Sequence, residues 1–187
     1  MREILWMLAA RMPVPGWLSL SRLARAVERW LTKNYLLQRK ALLLVPWDTG
    51  VLLDVGCGGA AYLECCQVPR KIGLDANEKR LEVARNYCDE VRRCDLEEGL
   101  PEVRADCALC LEVVEHLSKE AGLRLLERLA SYPVAVVSTP REFFRVSRDS
   151  FEAHLSFWGE EEMEALGFSL MERVTTPPSN IYVRRLM

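Results

Sequence analysis

The stretch Val51–Leu63, Val-Leu-Leu-Asp-Val-Gly-Cys-Gly-Gly-Ala-Ala-Tyr-Leu, constrains the chain more than any other. An apolar run interrupted by one acid, Asp54, passes directly into glycines at 56, 58 and 59 and then into an Ala/Leu segment. Such a run followed by a glycine cluster predicts a buried parallel strand, a tight turn and a helix N-terminus. Glycine lets the backbone turn sharply and lets a ligand come close to the main chain. The first amides of a following helix offer unpaired donors. A nucleotide-like ligand suits such a turn.

Beyond it, strand and helix patterns alternate. Lys71–Ala76 reads as a second strand ending in Asp75, with Asn77 as N-cap of a helix over Glu78–Tyr87. Glu90–Cys94 reads as the third strand, Asp106–Leu117 as the fourth and its exit, and Pro133–Pro140 as the fifth. Ser118 caps a helix over Lys119–Ser131, and Glu160–Leu166 forms another that stops at Gly167. Phe168–Thr175 and Ile181–Leu186 are separated by only Thr176–Asn180, so this last pair must be antiparallel. The expected fold is α/β: a doubly wound, mostly parallel sheet with a C-terminal antiparallel hairpin. Residues 48–187 form this domain, and 1–47 an N-terminal helical extension.

That extension concentrates positive charge, eight Lys or Arg against two Glu, in a chain whose formal net charge is −2. Leu20, Leu23, Val27, Trp30, Leu31, Leu37 and Ala41 recur at helical spacing, with Arg22, Arg25 and Arg29 on another face. The pattern predicts helix from about Leu18 to Leu44, ended by Pro46. Its apolar stripe packs on the core, caps the ligand site through Trp30 or Tyr35, or meets an anionic membrane surface or protein partner. A near-neutral balance gives no global field for DNA. No apolar run reaches transmembrane length, and the opening Ile4–Ala10 is short and broken by prolines, so the expected location is cytoplasmic. Seven cysteines without matched C-x-x-C pairs, and two histidines, give no expectation of a metal site, while pairing among the thiols stays open.

The order Asp54-Val-Gly-Cys-Gly-Gly-Ala60 resembles the first motif of the class I, Rossmann-like S-adenosylmethionine-dependent methyltransferases, with Ala60 standing where a third glycine is usual. The same letters satisfy a loose G-x-G-x-x-A dinucleotide fingerprint. Asp75 lies 21 positions after Asp54, where a carboxylate can accept both hydroxyls of a ribose, in a methyltransferase or an NAD enzyme alike. Asp95-Leu96, with Gly99-Leu-Pro101 close behind, resembles the family's adenine pocket, and Leu111-Glu-Val-Val-Glu-His-Leu117 its fourth-strand exit.

The resemblance covers about residues 48–187 and implies a seven-stranded sheet. It implies S-adenosyl-L-methionine as cofactor, held by Asp54, Gly56, Gly58, Asp75, Ala76, Asp95, Leu96 and Leu111. The fourth-strand exit lacks the Asn/Asp-Pro-Pro-Tyr/Phe of amine methylases and the Pro-Cys of cytosine C5 enzymes. His154, in a His-x-Ser-x-Trp stretch before an acidic helix, is the expected general base if the acceptor is a hydroxyl. The expected activity is methyl transfer to a small-molecule hydroxyl or amine. The alternatives are a non-catalytic cofactor-binding or regulatory protein and an NAD- or nucleotide-binding enzyme.

Overall fold

The computed structural model describes residues 36–142, 153–175 and 177–186. Within them run α1 (Leu36–Leu42), β1 (Val51–Val55), β2 (Arg70–Asp75), α2 (Glu78–Ala84), β3 (Glu90–Arg93), β4 (Cys107–Leu111), α3 (Lys119–Leu129), β5 (Val134–Pro140), α4 (Glu160–Ala165), β6 (Ser169–Thr175) and β7 (Pro178–Arg185). The seven strands form one sheet in the order β3-β2-β1-β4-β5-β7-β6. The first five are mutually parallel, and β7 is antiparallel to both β5 and β6. The doubly wound sheet and its antiparallel C-terminal hairpin are as the sequence predicts.

Buried strands explain the near-continuous apolar runs. Alternate residues of each strand feed opposite cores. Leu53, Val55, Ala108, Cys110, Ala135 and Val137 face a core closed by Leu125, Leu126 and Leu129 of α3 and Met163 of α4. Leu52, Cys107, Leu109, Val134 and Val136 face the other, closed by Leu37 and Ala41 of α1 and by Leu81 and Ala84 of α2. Asn77 caps α2 by accepting from the Lys79 and Arg80 amides, and Ser118 caps α3 by accepting from Ala121.

One expectation fails. The segment after the glycine turn is not an α-helix but a single 3-10 turn, Ala61–Cys65, followed by irregular chain to Arg70. Chain length supplies the reason. β1 has five residues and runs about 17 Å, and the connection must return that distance before β2. Pro69 closes the segment, and an α-helix over the eight residues before it rises only about 12 Å. A tighter, longer-pitched turn plus four non-helical residues covers the return.

Of the N-terminal extension, α1 and the turn after it are described; the expected helix before residue 36, with its arginine face, Trp30 and Tyr35, lies outside the described residues. No helix among the described residues is long and apolar enough to cross a membrane.

Candidate active site

The carboxyl ends of β1 and β2 carry the first group of expected residues. Gly56 and Gly58 take left-handed conformations, with φ +70° and +54°. At Gly56 a Cβ would also fall among the Val113 methyls, whereas Gly58 faces open space within 4 Å. Gly56 therefore lets the turn lie close against the β4 exit, and Gly58 leaves room above it. Ala60, at φ 52°, holds the same left-handed region without being glycine.

Asp75 fixes this turn. Its Oδ2 accepts from the Gly58 amide at 2.8 Å and its Oδ1 from the Asn77 amide at 2.8 Å. Each carboxylate oxygen keeps a further lone pair for a ligand hydroxyl. Ala76 follows, its carbonyl accepting from Arg93 Nε at 3.4 Å.

Asp54 sits deeper, 1% exposed. The Tyr62 hydroxyl donates to its carboxylate, yet Oδ2 has no hydrogen-bond partner. Burial chiefly, with the nearby Asp75 charge, raises its pKa to about 7, against the lowering effect of Tyr62. A buried, half-satisfied carboxyl of this kind calls for a cationic donor.

Asp95 is exposed after β3, with Oδ1 accepting from the Glu97 amide at 3.0 Å, and Leu96 beside it is buried in the α3-side core. The segment is tied to α3: the Ser118 amide and hydroxyl donate to the Glu97 carboxylate at 2.6 and 2.9 Å. Leu111 ends β4, 7% exposed. All of these residues stand at the carboxyl edge of the parallel strands, where open α/β sheets bind ligands. A cavity of about 220 Å³ lined by Glu102–Ala105, Arg128 and Ser131–Pro133 opens at the opposite edge and includes none of them.

The β4 exit supplies what the sequence reading missed. Glu112 has φ +56°, an uncommon conformation for a side-chain-bearing residue. Its amide donates to Ser138, and its carboxylate accepts from the hydroxyls of Ser138 at 2.8 Å and Ser179 at 3.0 Å. Three residues on, Glu115 is 2% exposed, and neither carboxylate oxygen has a hydrogen-bond partner. Burial, then the Glu112 charge, pushes its pKa well up. His116 follows, with Nδ1 3.2 Å from the Ala153 carbonyl.

The segment carrying His154 is stitched onto this exit. The Leu155 and Ser156 amides donate to the Glu115 carbonyl at 2.7 and 3.1 Å, and Ser156 Oγ donates to the Val114 carbonyl at 3.1 Å. Trp158 Nε1 in turn donates to Ser156 Oγ at 2.9 Å, and the Lys119 ammonium lies 3.6 Å from the centroid of the Trp158 ring. His154 thereby meets His116 edge-on, with ring centroids 5.1 Å apart. Burial and the neighbouring His116 lower its pKa, favouring the neutral imidazole. The signal for this second group was present as Glu112-x-x-Glu115-His116, which sets three polar groups on one short turn.

This arrangement defines a Rossmann-like methyltransferase architecture. The family model describing a methyltransferase domain matches residues 53–131. Among solved structures, the chain is similar to the complex between the Haloferax volcanii Trm112 methyltransferase activator and the putative methyltransferase. There the identity is 16% over 86% of this chain and 92% of that one, with a TM-score of 0.64. It is similar to magnesium protoporphyrin IX methyltransferase from Synechocystis, with 17% identity, 95% and 92% coverage and a TM-score of 0.55. It is also similar to CalS10, an amino pentose methyltransferase from Micromonospora echinaspora, with 16% identity, 90% and 98% coverage and a TM-score of 0.57. At such identities the structures share the fold. No curated protein matches the sequence. The chain therefore carries a methyltransferase-domain match over residues 53–131 and shares the fold of these methyltransferases.

Proposed function

We propose that the protein transfers a methyl group from S-adenosyl-L-methionine to a small-molecule hydroxyl or amine. The observation that carries this reading is the buried Asp54 carboxyl, with its unpartnered Oδ2, beside a glycine turn held open by Asp75. An ammonium such as that of the methionine moiety satisfies Asp54, and a ribose diol suits Asp75. Asp95 and Leu96 would serve the adenine, with Gly56, Gly58, Ala76 and Leu111 forming the walls.

When bound, the cofactor supplies an electrophilic sulfonium methyl and a neutral thioether leaving group. The chain's own task is then to align the acceptor in line with that methyl and to exclude water. His154 stands on the acceptor side, where a neutral imidazole can hold the proton of a hydroxyl acceptor; an amine acceptor that arrives with its lone pair needs no base. Seven cysteines outside any disulfide accord with a reducing, cytoplasmic setting. A protein partner accords with the activator complex among the similar structures.

Titration calorimetry with S-adenosylhomocysteine tests the cofactor half of the reading. The wild-type chain should bind one equivalent and melt at a higher temperature when saturated. Asp75→Ala should weaken binding by about 1.5–3 kcal/mol, the worth of hydrogen bonds to a charged group. An unchanged affinity in that variant would mean that the ribose is held elsewhere.

A further inference from the structure

We propose that Glu115, His116 and His154 form a site for a divalent cation of the class that takes mixed nitrogen and oxygen ligands, such as Zn²⁺, Co²⁺ or Mn²⁺. The sequence reading expected no metal. The geometry points to one because each of the three side chains offers a ligand atom, and these atoms lie within 4.8 Å of one another. His116 Nε2 stands 4.0 Å from Glu115 Oε1. Ligand atoms at about 2.1 Å from a tetrahedral ion lie about 3.4 Å apart, so the site closes once these separations shrink by about 1.4 Å at most.

The orientation of His116 is already the one a ligand needs. Its Nδ1 faces the Ala153 carbonyl, which can only accept, so Nδ1 carries the proton and the Nε2 lone pair turns towards Glu115. A backbone carbonyl behind a metal-binding imidazole commonly fixes the tautomer in this way. The segment bearing His154 is locked to the same turn by three hydrogen bonds, to the carbonyls of Glu115 and Val114.

Glu115 is the independent observation. A carboxyl group 2% exposed, with neither oxygen hydrogen-bonded, leaves a large desolvation cost uncompensated. Protonating it removes the charge but still leaves a hydroxyl donor and two acceptors without partners. A cation removes the charge and occupies the lone pairs together. Glu112, held beside it by two seryl hydroxyls, adds negative charge that favours the same ion. Glu115, His116 and His154 supply three protein ligands, leaving positions for water or, if the methyltransferase reading holds, for the acceptor oxygen. With the ion bound, His154 is a ligand rather than the base, and a hydroxyl on such an ion ionises more readily.

Co²⁺ is the probe, added to the full chain, since its visible spectrum separates nitrogen and oxygen ligation from thiolate ligation by the seven cysteines. One equivalent should bind, giving d–d bands without a thiolate charge-transfer band. Glu115→Gln keeps the side-chain shape, and His154 is partly exposed, so His154→Ala also keeps the fold, as circular dichroism will check. Each should weaken Co²⁺ binding roughly tenfold or more. The proposal is overturned if the wild type shows no saturable binding up to about 1 mM, if both variants bind as the wild type does, or if the spectrum is that of thiolate. S-adenosylhomocysteine titrated into the same samples separates the two readings. Cofactor binding without Co²⁺ binding overturns the metal site alone; Co²⁺ binding without cofactor binding supports it and removes the methyltransferase reading.

Discussion

Asp54 is a residue whose burial ties stability to pH. Its ordinary pKa is 3.8 and its folded value about 7, so between these limits the folded chain keeps a proton that the unfolded chain gives up. Raising the pH through that window therefore draws the equilibrium towards unfolding, by at most about 4 kcal/mol for a displacement of roughly three pH units. Asp75, Tyr62, Cys57, Cys88 and Cys110 surround the group, and all carry negative charge or none. Glu112 and Glu115 are displaced in the same direction, whereas Glu90 and Glu162 are displaced downwards on the surface and act only at acid pH. Urea midpoints should accordingly fall between pH 5 and 7.5 in the wild type, and fall less in Asp54→Asn. A wild-type midpoint that rises over this range would contradict the assignment. The sequence showed one acid within an apolar strand and so located Asp54. It could not show that Tyr62 donates to it, because that contact depends on the 3-10 turn that replaced the expected helix.

Elements were legible where one local signal decided them. Asn77 and Ser118 were readable as caps, and the last two strands as antiparallel, because side-chain chemistry and loop length settle these locally. The segment after the glycine turn was misread because its form depends on the span it must cover. The α3 helix presents a subtler case. Gly122 lies buried in its first turns, where glycine costs about 1 kcal/mol against alanine. A Cβ there would stand 2.6 Å from the Trp158 ring, so the missing side chain is what lets the His154 segment lie down on the helix. Gly122→Ala should therefore destabilise the protein by about 1–3 kcal/mol through overpacking, exceeding the propensity gain. Equilibrium urea unfolding measures the sign directly. A stabilised variant would show that Trp158 moves aside at little cost.

Across the whole molecule, the distribution of thiols follows from the two cores that flank the sheet. Cys110 and Cys94 belong to the core under α3, and Cys57, Cys88 and Cys107 to the core under α1 and α2. These five are at most 9% exposed, while Cys65 and Cys66 are partly exposed at the end of the 3-10 turn. None of the seven stands in a disulfide, so the pairing that the sequence left open does not occur here. Burial pushes the Cys88 and Cys107 thiols up to about 12, and those of Cys57, Cys94 and Cys110 upwards as well, leaving little thiolate at neutral pH. Access and ionisation thus act together on the five buried thiols, whereas the adjacent pair at the turn is the more accessible. A disulfide reagent at pH 7.5 should label two thiols promptly and the other five at the rate of global unfolding, with all seven reacting at once in denaturant. Mass mapping should place the first two labels on Cys65 and Cys66. Prompt labelling of Cys110, at the centre of the sheet, would contradict the packing of β4 between β1 and β5, and with it the strand order that brings the carboxyl edge of the parallel strands together.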